Sequence, residues 1–244
     1  FKKSKMAFFT ITILTGSVNL NAANFDSLNQ KNSIGSLDQN TPLNSDSLNS
    51  TSILDSIQTE KAAEKKKEYQ DILKLINKNK LTDAQTKLAE FQKKFPEDPE
   101  FYNLKALIET LQKNYAVAEQ SYLKAISLDK SNLLSHLGLS KLALETGNLS
   151  KAKEYADKAL NINDKVINAY LLLADIAYKQ KNNSEVETVL STAFEKVKGN
   201  ITSEIEVIKS LGKFYAVQKQ PAKILTIAEE LVKRYPDDSK AQSV

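Results

Sequence analysis

Residues 138–164 read GLSKLALETGNLSKAKEYADKALNIND, and this stretch decides the fold. Apolar residues recur at helical spacing on both sides of Thr146-Gly147-Asn148, which predicts two helices joined by a tight turn. Gly147 suits the left-handed residue that ends the first helix. Ala152 has counterparts in Ala118 and Val186, 34 residues away on either side. Tyr102, His136 and Tyr170 share a second slot at that spacing. Ala106, Ser140 and Ala174 share a third, and Ala125, Ala159 and Ala193 a fourth. Such a period predicts a stacked array of helical hairpins. Arrays of this kind bury their apolar faces on neighbouring repeats and offer a long open surface, which points to binding rather than chemistry.

Working outward, frames 34 residues apart start at Lys65, Pro99, Leu133 and Ile167. A fifth starts at Ile205 after a four-residue slip within residues 196–203 (KVKGNITS). The repeats therefore run over about 65–98, 99–132, 133–166, 167–203 and 205–238. Pro96, Pro99 and Pro236 fall at the turns between repeats, where no helical amide is lost. Two helices joined by a short turn cross closely only if the side chains at the crossing are short. Ala106 with Ala118, Ser140 with Ala152 and Ala174 with Val186 meet that need. Ile72, Phe91, Ile224 and Leu231 are large where the other repeats are small, so the first and fifth hairpins should pack less closely. With only 6 Gly, 5 Pro and no Trp among 244 residues, the composition also favours an all-α fold.

This pattern resembles the tetratricopeptide repeat (TPR) family, most plainly in residues 138–164, 169–194 and 211–236, and covers about residues 65–238. The resemblance implies a right-handed α-solenoid of about five repeats whose first helices line a concave surface. It places Tyr69, Asn103, Leu107, Leu137, Lys141, Leu171, Asp175, Tyr178, Lys209 and Lys213 on that surface as the candidate partner-binding residues, with Leu73, Thr110 and Leu144 beside them. Tyrosine and leucine would anchor apolar groups there, and Lys141, Lys209 and Lys213 would meet acidic ones. Family members that grip a chaperone's C-terminal carboxylate use a Lys followed four residues later by Asn. Here those slots read Tyr69/Leu73, Asn103/Leu107, Leu137/Lys141, Leu171/Asp175 and Lys209/Lys213, and none matches.

Upstream of the array the material changes twice. Residues 1–22 combine Lys2, Lys3 and Lys5 with an apolar run beginning MAFFTITIL at residues 6–14. Small residues follow at Ala22-Ala23, which predicts a secretory signal peptide cut after Ala22. Residues 23–60 hold 6 Asn and 8 Ser, too little apolar area to offset the entropy of ordering, and are expected to form a disordered tether before the array at 61–244. The charge of +4 includes +3 within the signal segment, so the remainder carries about +1. That is too little to point to nucleic acid or anionic lipid. After signal cleavage no stable membrane span is expected.

Candidate chemistry is sparse. There is no cysteine, hence no disulfide or thiolate site. His136, the sole histidine, occupies a slot held by tyrosine in neighbouring repeats and reads as a packing residue with a polar edge. The glycines form no phosphate-cradling loop. No catalytic residue, cofactor or metal is expected, and the chain is read as non-enzymatic. Residues 239–244 would open a sixth repeat. Either the protein continues past Val244, or the open face docks on a partner or a second copy.

The leading functional expectation is an exported, periplasmic bacterial scaffold that binds a protein or peptide within an envelope assembly. Two rivals stand beside it: an N-terminal regulatory or adaptor part of a larger enzyme or secretion component, and a cytoplasmic secretion chaperone that keeps residues 1–22.

Overall fold

The computed structural model describes residues 45–242. The signal peptide expected over 1–22, and residues 23–44 of the expected tether, lie outside them. Among the described residues the helices, in chain order, are α1 Ser45–Asn77, α2 Leu81–Lys94, α3 Pro99–Leu111, α4 Tyr115–Leu128, α5 Leu133–Glu145 and α6 Leu149–Ile162. Then come α7 Ile167–Lys179, α8 Asn183–Val197, α9 Ile201–Val217, α10 Pro221–Arg234 and the single turn α11 Ser239–Gln242. No strand occurs among the described residues, and none of their helices is long and apolar enough to cross a membrane. The fold is all-α and built of helical hairpins, as the period predicts.

One expectation needs correcting. Residues 45–60, assigned above to the tether, belong to α1. Helix nucleation is costly, but adding a residue to an existing helix costs little. The strongly helix-forming run Glu60-Lys61-Ala62-Ala63-Glu64 therefore carries the helix upstream into the Asn/Ser-rich stretch.

The hairpin turns repeat one geometry. Asn79, Lys113, Gly147, Lys181 and Lys219 all have positive φ, at 56°, 63°, 83°, 59° and 57°. The next residue donates its amide five residues back: Asn114 N–H to the Glu109 carbonyl at 2.8 Å, Asn182 to Ala177 at 2.9 Å, Gln220 to Tyr215 at 2.9 Å. This left-handed ending satisfies carbonyls that a helix end leaves open. Only Gly147 adopts the conformation freely. The four non-glycine residues are held there by the hydrogen bonds, at a cost of about 1 kcal/mol each. Asn148 and Asn182 then cap the second helices, accepting the amides of Lys151 at 3.1 Å and Glu185 at 3.2 Å.

The chain divides into two compact units, one ending at Leu142 and one starting at Ala143. In the first, α1 and α2 cross at Ile72 and Ala84, and α3 and α4 at Ala106 and Ala118, all four at or below 1% exposure. α3 and α4 make closer contact than α1 and α2, in keeping with the larger side chain of Ile72 in the first hairpin. Phe91, Phe95, Phe101, Leu104 and Ile108 fill the core around these hairpins. Between hairpins, the Tyr122 ring of α4 lies directly over Gly138 of α5. A Cβ on Gly138 would come within 2.3 Å of it.

In the second unit, Ala174 and Val186 occupy the α7–α8 crossing, and Gly212 and Ile224 the α9–α10 crossing. The latter pair of helices is again the more open. Where the repeat lengthens, the α8–α9 turn is tied by charge. Glu204, fully buried, accepts the Gly199 amide at 2.7 Å and the Tyr235 hydroxyl at 2.9 Å, and lies 2.6 Å from the Arg234 guanidinium. That guanidinium sits 5.2 Å above the Phe194 ring. A carboxylate stripped of water is tolerable here because donors and a cation surround it.

Candidate functional site

The expected partner-binding residues divide by burial, and each unit stands on its own. In the first, Tyr69, Asn103 and Leu137 are only 4%, 4% and 2% exposed, so they are corrected from surface to core. Burial raises the Tyr69 phenol's pKa well above its usual value. The Asn103 side-chain amide donates to Asn132 Oδ1 at 2.8 Å and accepts from the Ser135 hydroxyl; Asn132 also takes the Ser135 amide at 3.0 Å. A buried amide bonded at both ends belongs to the repeat junction, not to a ligand. Leu107 and Lys141 remain half-exposed.

A groove of about 220 Å³ lies between α2 and α3, with Leu88, Phe101 and Ile108 at its base. Its rim carries the neutral amides of Gln85 and Gln92 and the Lys105–Glu109 pair, whose charges cancel at 3.8 Å. It offers no electrostatic preference for an occupant.

His136 behaves as its slot predicts. Its Nε2 lies 3.2 Å from the Lys130 carbonyl, six residues back. Tyr170, in the equivalent slot of the second unit, donates its hydroxyl to the Asp164 carbonyl at 2.9 Å, also six residues back. Each side chain ties a first helix to the turn before it. The imidazole does the tyrosine's work.

In the second unit the expected residues fall on two neighbouring helices. α7 and α9 are adjacent first helices in contact. α7 presents Leu171, Asp175 and Tyr178, all half-exposed, and α9 presents Lys209 and Lys213, both exposed. Helical spacing puts Leu171, Asp175 and Tyr178 on one face, and Lys209 and Lys213 on another. Leu171 and Tyr178 also rest on the core cluster beneath, so their exposed edges are fixed in place. Asp175 is recessed, and loss of water pushes its pKa from 3.8 up to about 7 against the opposing pull of Lys179 and Lys213. Glu206, also half-buried on α9, is raised for the same reason, with Lys209 acting against the shift.

Acids elsewhere in this unit are treated differently. Glu187 takes the Lys223 ammonium at 2.7 Å and the Tyr215 hydroxyl at 2.9 Å, and Asp164, in the turn before α7, takes Lys196 at 2.7 Å. Both carboxyl groups fall below their usual range through those hydrogen bonds. The sequence reading missed Glu206 and the recessed setting of Asp175. Its only available signal was that both stand one or two turns from lysines on the same helices.

Comparison with known proteins agrees with this architecture. Residues 73–132 and 135–165 match the tetratricopeptide repeat family. These segments are tetratricopeptide repeats. No curated protein matches the sequence. Among solved structures the chain is similar to a thermophilic TPR protein of Thermus thermophilus, at 15% identity over 73% of this chain and 95% of that one, with a TM-score of 0.56. A tetratricopeptide repeat protein of Parabacteroides merdae is similar at 14% identity over 68% of this chain and 63% of its own, with a TM-score of 0.52. MamA of Desulfovibrio magneticus RS-1 is similar at 15% identity over 72% of this chain and 98% of that one, with a TM-score of 0.50. At these identities the likeness is one of fold.

Proposed function

We propose that this protein is a non-enzymatic scaffold, exported from a bacterial cytoplasm, that captures a segment of a partner protein on the α7–α9 face and brings it into an envelope assembly. Tetratricopeptide repeat proteins mediate protein–protein interactions, and that supports the class. The observation that carries the capture site is the set of half-exposed Leu171 and Tyr178 beside exposed Lys209 and Lys213. Apolar edges anchored in a core and cations held in solvent are the ingredients of a peptide-binding surface. Export is supported by the lysine-led apolar segment and the small residues at 22–23.

The capture site is tested by a photo-crosslinking amino acid at position 178, with an equivalent one at exposed Leu123 as control. Adducts from 178 alone, lost in the Lys209→Glu/Lys213→Glu variant, are expected. Equal adducts from both positions would move the site off this face. Export is tested separately by mass spectrometry of the mature protein. A chain beginning at Ala23 is expected, and retention of residues 1–22 would favour the cytoplasmic chaperone.

A further inference from the structure

The charges of the α7–α9 face are not arranged symmetrically about its surface. Lys209 and Lys213 stand in solvent, whereas Asp175 and Glu206 are drawn back between side chains. An approaching partner therefore meets cations first. Among the described residues neither the Asp175 carboxyl nor the Glu206 carboxyl makes a hydrogen bond or an ion pair. The charges acting on Asp175 are Lys179 of its own helix and Lys213 of α9; no charged side chain of α6 or α8 acts on it. Lys179 in turn donates to the Leu144 carbonyl at 3.5 Å. Glu206 and Lys209 lie two turns and one turn before Lys213 along α9. With Asp175 ionised the face holds three lysines against two carboxylates; with Asp175 protonated, three against one.

Resting on the docking reading above, we infer that the α7–α9 face takes an acidic segment with an apolar anchor, and that its capture is coupled to protonation of Asp175. A partner carboxylate brought to Lys213 competes with Asp175 for that cation and repels the ionised form. Protonation removes the repulsion and leaves Lys179 and Lys213 to the incoming acid. Coupling is reciprocal: whatever favours the protonated aspartic acid favours the partner, and the bound partner draws in a proton. Because Asp175 titrates at about 7, the exchange falls near neutrality rather than in the usual carboxylate range. The apolar edges of Leu171 and Tyr178, four residues before and three after Asp175, fix where along the face the acidic groups come to lie.

The test uses the full chain and a fluorescent glutamate-rich peptide carrying one Leu and one Tyr, whose own carboxylates are ionised at both pH 6 and pH 8. Anisotropy titration should give about fivefold tighter binding at pH 6 than at pH 8. Asp175→Asn should bind at pH 8 as tightly as the wild type does at pH 6, with no remaining pH dependence. Lys213→Gln should weaken binding at both values. Equal wild-type affinities at the two pH values, or a pH dependence that survives in Asp175→Asn, would overturn the proton coupling. Failure to bind this peptide, or preference for a lysine-rich peptide of equal length, would overturn the acidic class.

Calorimetry of the wild type in two buffers of different ionisation heat removes any dependence on how Asp175→Asn folds. Net proton uptake on binding at pH 7.5 is expected, and zero uptake counts against the coupling. Crosslinking through position 178 that persists unchanged across pH would leave the docking reading standing and remove only its control by protons.

Discussion

Gly138 and Gly212 lie inside first helices and face large side chains from second helices, yet they do different work. At Gly138 the Tyr122 ring has taken the space a side chain would need, and an added Cβ would sit 2.3 Å from its Cζ. At Gly212 an added Cβ would meet Ile224 Cγ1 at 3.5 Å, an ordinary contact. One glycine is a hole already filled by its neighbour, the other a hole with room to spare. The same two slots as Tyr122 and Gly138, one repeat later, hold Ala156 and Leu172, both buried. Bulk has changed sides while the buried volume stays roughly constant. A repeat junction thus constrains the sum of two side chains more tightly than either one, which is how close-packed interiors behave.

The largest effect should come from breaking that sum. Gly138→Leu is expected to cost about 3 kcal/mol by overpacking. Tyr122→Ala combined with Gly138→Leu should recover most of the loss in urea denaturation. A double variant no more stable than Gly138→Leu would show that the two slots are independent. Ala118→Leu adds bulk where α3 and α4 approach closely and should cost about 2 kcal/mol. An unchanged melting temperature would contradict the crossing assigned to Ala106 and Ala118. Gly212→Ala sharpens the contrast from the other side, because the space exists and alanine favours helix. A gain of about 0.5–1 kcal/mol is expected, and a loss would mean that Ile224 cannot accommodate the methyl.

The smallest effect separates the two kinds of acid in the second unit. Folding raises the proton affinity of Asp175, so between pH 4 and 7 the folded chain binds more protons than the unfolded one. This contribution to stability therefore falls as pH rises through that window. Asp164 and Glu187 act with the opposite sign. Their carboxyls are lowered by lysine hydrogen bonds, so their contributions are lost as pH falls below their unfolded values. Asp175→Asn should raise the melting temperature at pH 8 and leave it nearly unchanged at pH 4. A uniform shift at both values would mean that the carboxylate is not the cause.

Much of this architecture was legible in the 34-residue period, because a helical hairpin spends its residues the same way each time. Gly147 announced one turn, and Asn114, Asn148 and Asn182 marked equivalent places. The crossing at Ala106 and Ala118 could be named from residue size alone. Three things could not. Tyr69, Asn103 and Leu137 have helical phases compatible with a surface, and only the packing of adjacent helices buries them. The trade between Tyr122 and Gly138 joins two repeats, so a comparison made slot by slot passes over it. The reach of α1 back to Ser45 depends on propagation from a strong helix downstream rather than on the local Asn/Ser composition. For the candidate site, residue types and their helix face were readable, but how deeply Asp175 sits was not.

The buried Glu204 has a further consequence for amide exchange. Turns between stacked hairpins ordinarily offer their N–H groups to solvent and trade deuterium quickly. The Gly199 amide is instead donated to a carboxylate that Arg234 and Tyr235 hold from the end of α10. Its isotope uptake should therefore follow the opening of that distant helix end, making one glycine amide a reporter of whether the α9–α10 hairpin is closed.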